Sequence, residues 1–496
     1  MDGMIAQALG IIFQPTQVLL LVGSVFSGIM VGAAPGLTST IAIGLLIPVT
    51  FTMSKYSAFI MMCGIYCGSI YGGSITAILM NVPGTPTAAV TAMEGWPMTQ
   101  KGEGGTALGL ATYSSSIGGI FSCIILIFLS LKLARIATLF AGPEYFSLCL
   151  LAIIVVFTMS CKSVLKGLIA ASFGLLLSTV GLDLICPFPR FTFGIQELTI
   201  GIPEVPATIG LLCVAEAFRM VGRPAASNIV RCKVTGIFSA YKYLPKMWFN
   251  ILRSSIIGTI IGILPGLGAT MASFMAYGEA KRASKHPEEY GKGSKEGVVA
   301  SESANNAVTG GALVPMLTLG IPGDSNTLMM MGAMLIHGLV PGPSLFRDQL
   351  DLVYVIFLAM MISNVLLLLM GLFLANFIGK LATMVDNKYM IPFVLVLSIV
   401  GPSISYGHVY YFWLSIIFGL IGYFFEKGGF PVLSVAMALV LGPIMEKSLR
   451  ASLMLPDAGI KIFFTRPYSL AFIVTAILFL VFSVRREIKS RRCEAA

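Results

Sequence analysis

Three polar residues of types that bind ions or substrates stand together at Asp324, Ser325 and Asn326, directly after a Pro322-Gly323 pair in the middle of apolar sequence. A carboxylate at membrane depth is costly unless it is paired, protonated or bound to a cation. Asp324 therefore either couples a cation or a proton to the function of the chain or caps the helix that follows it. The third interpretation is that the Asp324 side chain is exposed to solvent and has neither role.

Two amides, Asn305 and Asn306, precede this group in the same half of the chain. Their carbonyl oxygens could bind a sodium ion, and their N–H groups could bind a substrate. We therefore predict that Asp324, Asn305 and Asn306 couple a cation, Na+ or H+, and we expect no other metal. Glu302, one turn earlier, faces either this group or the charged loop before it.

Proline-glycine pairs interrupt apolar sequence at four places, which form two matched sets: Pro35-Gly36 with Pro265-Gly266, and Pro83-Gly84 with Pro322-Gly323. The offsets are 265 − 35 = 230 and 322 − 83 = 239, so the second half repeats the first with 239 − 230 = 9 extra residues between its breaks. Proline removes a backbone donor, and non-helical backbone in a membrane survives only inside protein or beside a watery cavity. The pattern predicts an internal repeat whose breaks form a transport site.

The residue types at the breaks indicate an anionic substrate. The four motifs contain no Arg or Lys, so helix N-termini, backbone amides, hydroxyls and side-chain amides would hold the anion. We expect the breaks of both halves to converge near the bilayer midplane and to bind a carboxylate. The predicted substrate-binding residues are Pro35, Gly36, Thr38, Ser39, Thr40, Asn81, Pro83, Gly84, Thr85, Pro265, Gly266, Gly268, Thr270, Pro322, Gly323, Ser325 and Asn326.

The composition is that of a protein embedded in lipid. Of 496 residues, 56% are hydrophobic and only 11% are charged, whereas a soluble domain carries about a quarter charged residues. The net charge of +10 arises from basic residues in loops beside the spans, which the positive-inside rule explains. The lipid bilayer is therefore an expected partner, and nucleic acid is not.

The fold that follows is an all-α polytopic integral membrane protein with about a dozen helices in two inverted repeats, several of them broken at Pro-Gly. We place the first repeat at residues 1–205, a basic connector at 206–250, and the second repeat with a basic tail at 251–496. Loop 278–297 holds five basic residues and the matching loop 52–57 holds one, which predicts opposite sides of the membrane for the two loops. The longer loop and the tail would be cytoplasmic.

Two local features have simpler interpretations. Gly64, Gly68 and Gly72 recur at spacing four on one helical face, which predicts close packing against a neighbouring helix. Residues 94–105 are predicted to form a polar loop.

The sequence offers little for catalysis. The run from Tyr290 to Lys295 lacks the first glycine of a phosphate loop, and no nucleophile elbow or nucleophile-base pair is present. Cys63 and Cys67 share a helical face without a His or carboxylate beside them. We therefore expect a chain that is not an enzyme and needs no cofactor.

The motif set extends over the whole chain. Gly-x-x-Pro-Gly-Leu occurs at 32–37 and 262–267, Tyr71-Gly72-Gly73-Ser74 leads to Asn81-Val82-Pro83-Gly84, and Gly310-Gly311-Ala312 leads to Gly320-Ile321-Pro322-Gly323-Asp324. In these motifs the chain resembles the large membrane subunit of the tripartite tricarboxylate transporters, the TctA family.

The resemblance implies a permease of the bacterial inner membrane that works with a small membrane subunit and a periplasmic solute-binding protein. Such a system imports citrate-like tricarboxylates or other carboxylates and is driven by an ion gradient, with sodium the first candidate. Family likeness also favours an elevator-like movement. Three alternatives stay open: a stand-alone organic anion facilitator, a channel, and an intramembrane enzyme that uses Asp324 or His337.

Overall fold

The structure, a computed structural model, describes residues 2–34, 36–160, 163–183, 185–186, 188–221, 236–382, 387–455 and 459–495. These residues are mostly helical, which confirms the prediction of an all-α polytopic membrane protein. They form more α-helices than the dozen expected, because each break divides one span in two and short helices connect the spans. Pro35 and residues 222–235 of the basic connector lie outside the described residues.

The α-helices are α1 Asp2–Ile12, α2 Pro15–Ala33, α3 Ser39–Thr50, α4 Lys55–Met80, α5 Ala89–Gln100, α6 Gly104–Ala137, α7 Gly142–Met159, α8 Val164–Ser178, α9 Glu204–Ile209, α10 Ala215–Val221, α11 Leu244–Ile263, α12 Gly268–Ala283, α13 Lys295–Leu319, α14 Ser325–Ile336, α15 Pro343–Asp348, α16 Leu350–Ala382, α17 Asn387–Tyr406, α18 Tyr410–Lys427, α19 Val432–Leu453, α20 Ile462–Thr465 and α21 Pro467–Ala495. The strands β1 Gly181–Leu182 and β2 Pro189–Arg190 pair antiparallel.

Seven helices within the described residues are long and apolar enough to cross a membrane. They are Pro15–Ala33, Lys55–Met80, Gly104–Ala137, Gly142–Met159, Leu350–Gly379, Val432–Leu453 and Pro467–Lys489. Their number and hydropathy make the chain a multi-pass membrane protein.

The chain divides into two compact units. The first comprises Met1–Leu133, Arg219–Ile263 and Gly268–Leu397, and the second comprises Ala134–Phe218, Leu264–Leu267 and Ser398–Ala496. The first unit therefore contains segments of both predicted repeats. The sequence boundaries at 205 and 250 and the inversion of the repeats stay predictions.

Glycines bring two helix pairs of the first unit into close contact. On α4, a methyl group at Gly68 or Gly72 would meet the backbone of α2, which confirms the predicted packing face. On α2, a Cβ at Gly28 would meet the backbone of Ile65. On α11, a Cβ at Gly258 would meet the backbone of Ala304 in α13. The offsets 258 − 28 = 230 and 304 − 65 = 239 equal those of the Pro-Gly motifs, so the second helix pair reproduces the contacts of the first.

The breaks are also matched in backbone conformation. Gly36 and Gly266 have φ values of 90° and 82°, and Asn81 and Gly320, which end α4 and α13, have φ values of 56° and 71°. These left-handed conformations suit glycine and are tolerated by asparagine. The first pair is separated by 230 residues and the second by 239, the offsets of the Pro-Gly motifs. The helices of the two predicted repeats therefore end in the same backbone conformation at matching positions.

A buried carboxylate anchors the charged loop that precedes α13. Glu94 lies inside α5, so the prediction of a polar loop from residue 94 was wrong: the helix continues to Gln100. The Glu94 carboxylate accepts hydrogen bonds from the Tyr277 hydroxyl at 2.6 Å and from the backbone N–H groups of Gly291, Gly293 and Ser294 at 2.5 to 2.8 Å. Because backbone N–H groups bond well to a carboxylate, the loop is held against α5.

The second unit has a network of alternating charges at its small sheet. Arg190 on β2 donates both terminal nitrogens to the Glu446 carboxylate at 2.7 and 3.1 Å, and Arg450 donates to Asp183 at 2.5 Å. The Arg450 guanidinium and the N–H groups of residues 185 and 186 hold the pKa of the Asp183 carboxyl below its usual range. This network attaches the hairpin to α19.

Substituting Gly28 by Ala is expected to destabilise the protein, because the new Cβ would meet Ile65 O at 2.8 Å and Ile65 Cα at 2.9 Å. Overpacking against backbone costs about 1–3 kcal/mol. Gly23→Ala on the same helix is the control, since nothing lies within 4 Å of its Cβ. Thermal unfolding in detergent should separate the two variants, and equal melting temperatures would contradict the packing argument.

Substituting Glu94 by Ala is expected to release the charged loop. The loss of charge-assisted hydrogen bonds, each worth about 1.5–3 kcal/mol, should raise the rate of tryptic cleavage at Lys285 and Lys292 about tenfold or more. Glu103→Ala is the control, because Glu103 is half exposed and pairs with Lys295 at 3.3 Å. Cleavage at the wild-type rate in the Glu94 variant would show that the loop is held by other contacts.

Candidate functional site

Two helices of the first unit begin at breaks and carry side-chain caps. Thr38 caps α3, its Oγ1 accepting from Ile41 N at 3.3 Å. Asp324 caps α14, its Oδ1 accepting from Thr327 N at 2.8 Å, while Thr327 Oγ1 accepts from Asp324 N at 2.9 Å. A capped N-terminus still has free N–H groups and a positive dipole end, both of which favour an anion.

The first turns of α3 and α14 meet, although they are nearly 300 residues apart in sequence. Thr40 Oγ1 lies 2.8 Å from Ser325 Oγ and donates to Asn326 Oδ1 at 3.0 Å. Asn326 is buried. The structure thus brings together residues from the first break of one half and the second break of the other, all of them in the predicted substrate-binding set.

Asp324 is buried and accepts bonds on both carboxylate oxygens. In addition to the cap, Oδ2 accepts from the Tyr66 hydroxyl at 2.8 Å and from Asn326 Nδ2 at 3.1 Å. Within the described part of the chain, no Lys, Arg or His pairs with it. The capping interpretation of Asp324 therefore has a geometric basis, and its proposed cation coupling stays a prediction.

A polar stripe runs along α13 at helical spacing. Glu302, Asn305, Asn306 and Thr309 follow the pattern i, i+3, i+4 and i+7, and all four are buried. Neither amide atom of Asn306 has a hydrogen-bond partner among the described residues, and the same holds for Asn305 Oδ1. Asn305 Nδ2 makes a long contact of 3.5 Å with Ile70 O. Buried amides are seldom unsatisfied, so these two fit the prediction of an ion or substrate ligand.

The second break of the first half contributes mainly backbone. Asn81 ends α4 in an exposed, left-handed position, and Thr85 Oγ1 lies 2.9 Å from Thr87 Oγ1. A Cβ at Gly84 would meet Gly32 O, and one at Gly323 would meet Gly262 O. Pro83 precedes one of these glycines and Pro322 the other, so each second break packs against the helix that carries the first break of its own half.

The first break of the second half is a turn between α11 and α12. Gly268 begins α12 with φ 64°, and Thr270 lies in its first turn. α12 contacts the 3₁₀ turn Pro86–Ala88, which follows the second break of the first half. In the same way, α3 contacts α14, which follows the second break of the second half, so each half meets a break of the other half. Pro265 and Gly266 fall in the second compact unit and are described by themselves: Gly266 packs against Val156.

Two side chains of this region were not among the predicted site residues. Tyr66 lies on α4, two residues from the glycine face that predicted packing, and its bond to Asp324 has no signal in the sequence. Glu302 was noted without an assigned side, and its spacing from Asn305 and Asn306 on one helical face is the signal that could have placed it.

Substituting Asp324 by Ala is expected to lower the free energy of unfolding by about 1–2 kcal/mol, because α14 loses its cap and the buried Tyr66 hydroxyl loses an acceptor. Asp324→Asn should be much milder, since asparagine is a good N-cap residue. Thermal unfolding of both variants in detergent measures this difference. Equal stability of the Ala variant and the wild type would exclude a structural role of the cap.

Comparison with known protein families gives a match over most of the chain. The model of the tripartite tricarboxylate transporter TctA family matches residues 18–437. An uncharacterized 52.8 kDa protein in the TAR-I ttuC′ 3′ region of Agrobacterium vitis is 35% identical over 478 residues, which cover 96% of this chain and 95% of the relative. An uncharacterized protein in the TAR-II ttuC′ 3′ region of the same organism is 30% identical over 235 residues, covering 47% of this chain and 97% of the relative.

No solved structure matches the chain. The family match covers the predicted helix breaks of both halves, including the meeting point of α3 and α14. This chain belongs to the TctA family and is a membrane subunit of a tripartite tricarboxylate transporter.

Proposed function

We propose that the chain is the permease subunit of a binding-protein-dependent system that imports citrate-like tricarboxylates or other carboxylates across a bacterial inner membrane, driven by an ion gradient, sodium first. Family membership supports the transport class. The observation that carries the site is the meeting of the α3 and α14 N-termini at Thr40, Ser325 and Asn326.

The carboxylate would lie against these two N-termini. Their N–H groups and dipole ends stabilise negative charge without a fixed cation, and the adjoining hydroxyls add neutral donors. A site of this kind holds its ligand with moderate strength, because each hydrogen bond contributes only about 1 kcal/mol net. Moderate affinity suits a carrier, which must release its substrate on the other side.

The coupling sodium ion would bind near Asn305, Asn306 and Asp324. The unsatisfied amide oxygens of Asn305 and Asn306 support this proposal, since sodium takes neutral oxygen ligands. A sodium ion beside the substrate would also offset the negative charge of a carboxylate. Proton coupling is the alternative for the same gradient-driven step.

Alternating access would come from movement of the helices that carry the breaks. The matched contacts of the two halves support a carrier built from repeats, in which equivalent segments move against the other helices. We favour an elevator-like movement over rocking because of the family. The small membrane subunit and the periplasmic binding protein would complete the system, with the basic tail on the cytoplasmic side.

The deciding experiment is uptake of labelled citrate and a panel of dicarboxylates into vesicles that contain this chain. Sodium gradient, small subunit and binding protein are each added or omitted. Saturable uptake that needs sodium and both partners is expected. Non-saturating flux without partners or gradient would instead indicate a channel, and saturating flux without them a stand-alone facilitator.

Substituting Thr40 by Val is expected to raise the KM for the carboxylate about five- to tenfold, because the loss of the hydroxyl contacts to Ser325 and Asn326, which position these helix ends, costs about 1–1.4 kcal/mol in total. Ser325→Ala should act in the same direction. Thr52→Val is the control, since Thr52 is exposed and its hydroxyl donates to Val49 O at 3.0 Å, away from both helix ends in sequence. An unchanged KM in both site variants would show that the substrate does not bind at these helix ends.

A further inference from the structure

Glu302 is a carboxylate that the cation and anion sites above do not use. It lies two turns inside α13 and is completely buried. Oε1 accepts hydrogen bonds from Ser74 Oγ on α4 at 2.6 Å and from Thr91 Oγ1 on α5, and Oε2 accepts from Ser115 Oγ on α6 at 2.7 Å. Three helices thus each offer one hydroxyl to one carboxyl group.

The chemistry of these partners differs from that around Asp324. Asp324 accepts from the Thr327 N–H and from Asn326 Nδ2, which can only donate, as well as from the hydroxyls of Tyr66 and Thr327. The partners of Glu302 are all hydroxyls, and a hydroxyl can donate or accept. When Glu302 is ionised all three hydroxyls can donate to it, and when it is protonated one of them can turn so that its oxygen accepts a hydrogen bond from the carboxyl O–H.

Among the described residues, no Lys, Arg or His pairs with Glu302. Titratable groups do lie on the helices that supply Glu302 and its partners: Lys55, Tyr56, Cys63, Tyr66, Cys67 and Tyr71 on α4, Glu94 on α5, Glu103 just before α6, Tyr113, Cys123, Lys132 and Arg135 on α6, and Lys295 and Glu296 on α13. The helices α11 and α12, which pack on α13, carry Lys246, Arg253, Tyr277, Glu279, Lys281 and Arg282. Of these groups, Tyr71 bonds Thr112, Glu94 holds the loop, Glu103 pairs with Lys295, and Glu296 bonds Ser284. An ionised carboxylate without a cation is unfavourable in a buried membrane site.

We infer that Glu302 is a proton-binding site, separate from Asp324 and its cap, and that its protonation couples to transport. The step is simple: a proton from one aqueous phase adds to a Glu302 carboxylate oxygen, which gives a neutral carboxylic acid, and the same proton later leaves to the other phase. The partner oxygens lie at hydrogen-bond distances from the carboxylate and so bond to it directly, which favours a proton over a metal ion.

The position of Glu302 explains how a proton could act on the breaks. α13 ends at the Gly320 break, α4 ends at the Asn81 break, and α5 begins just after that break. Protonation changes the charge at the point where these three helices and α6 are joined. The role in coupling, though not the proton binding itself, rests on the proposed transport function.

The first test measures the acid directly. Infrared difference spectra of the purified protein, recorded as the pH is raised, should show loss of a buried carboxylic acid carbonyl band. The band should be absent in Glu302→Gln and present in Glu103→Gln. Ser115→Ala should keep the band and shift its pH midpoint, which also tests the site if the Gln variant does not fold. Persistence of the band in Glu302→Gln, or its loss when sodium is added at fixed pH, would overturn the proposal.

The second test measures coupling in vesicles. Glu302→Gln should retain exchange of labelled for unlabelled carboxylate, but its initial rate of uptake driven by a pH gradient should fall at least tenfold. Glu103→Gln should retain both activities. Undiminished pH-driven uptake in Glu302→Gln would exclude a coupling role, and so would wild-type uptake that responds to a sodium gradient but not to a pH gradient. If the wild type transports no carboxylate, the proposed function fails, and the infrared band alone then decides whether Glu302 binds a proton.

Discussion

Backbone polar groups that leave a helix inside a bilayer must find partners within the protein, and the arrangement of the first compact unit follows from this requirement. The breaks after α2, α4, α11 and α13 are tolerated because glycines allow neighbouring backbones to approach and because Thr38 and Asp324 satisfy the helix ends that resume. The same satisfied ends have dipoles and further N–H groups that can hold an anion. The anion site proposed above would therefore use the same helix ends that the breaks require.

Two buried carboxylates, 22 residues apart by 324 − 302, differ in their hydrogen-bond donors. Asp324 receives N–H donors at a helix N-terminus in addition to hydroxyls, whereas Glu302 receives only hydroxyls, from α4, α5 and α6. An N–H group can only donate, whereas a hydroxyl can also accept a hydrogen bond from a protonated carboxyl group. Both residues lie beside a break: Glu302 on α13, which ends at the Gly320 break, and Asp324 at the start of α14.

Local chemistry explains what could be predicted from the sequence. Proline, glycine and the threonines after Gly36 affect the backbone conformation of their own turn, so the break positions and the starts of α3 and α14 follow from the residues alone. The spacing of Gly64, Gly68 and Gly72 likewise predicted a packed helical face. Contacts between distant residues had no such signal. The meeting of Thr40 with Ser325, the bond of Tyr66 to Asp324 and the three partners of Glu302 depend on how whole helices pack. Glu94 was assigned to a loop because its sequence neighbours are polar, and tertiary bonds keep it in a helix.

Among the described residues, the bonds of Glu94 to the loop before α13 have no counterpart at the matching position of the other half. The position 94 + 239 = 333 is Ala333, whose methyl group cannot accept a hydrogen bond. In the proposed carrier, an inward-open and an outward-open state would have equal free energy only if the two halves were identical. The Glu94 contacts are present in one half alone, so these states would differ in free energy even without ligands or partner proteins. The empty protein would then populate one orientation more than the other, whereas the direction of net flux would follow the gradients of substrate and coupling ion.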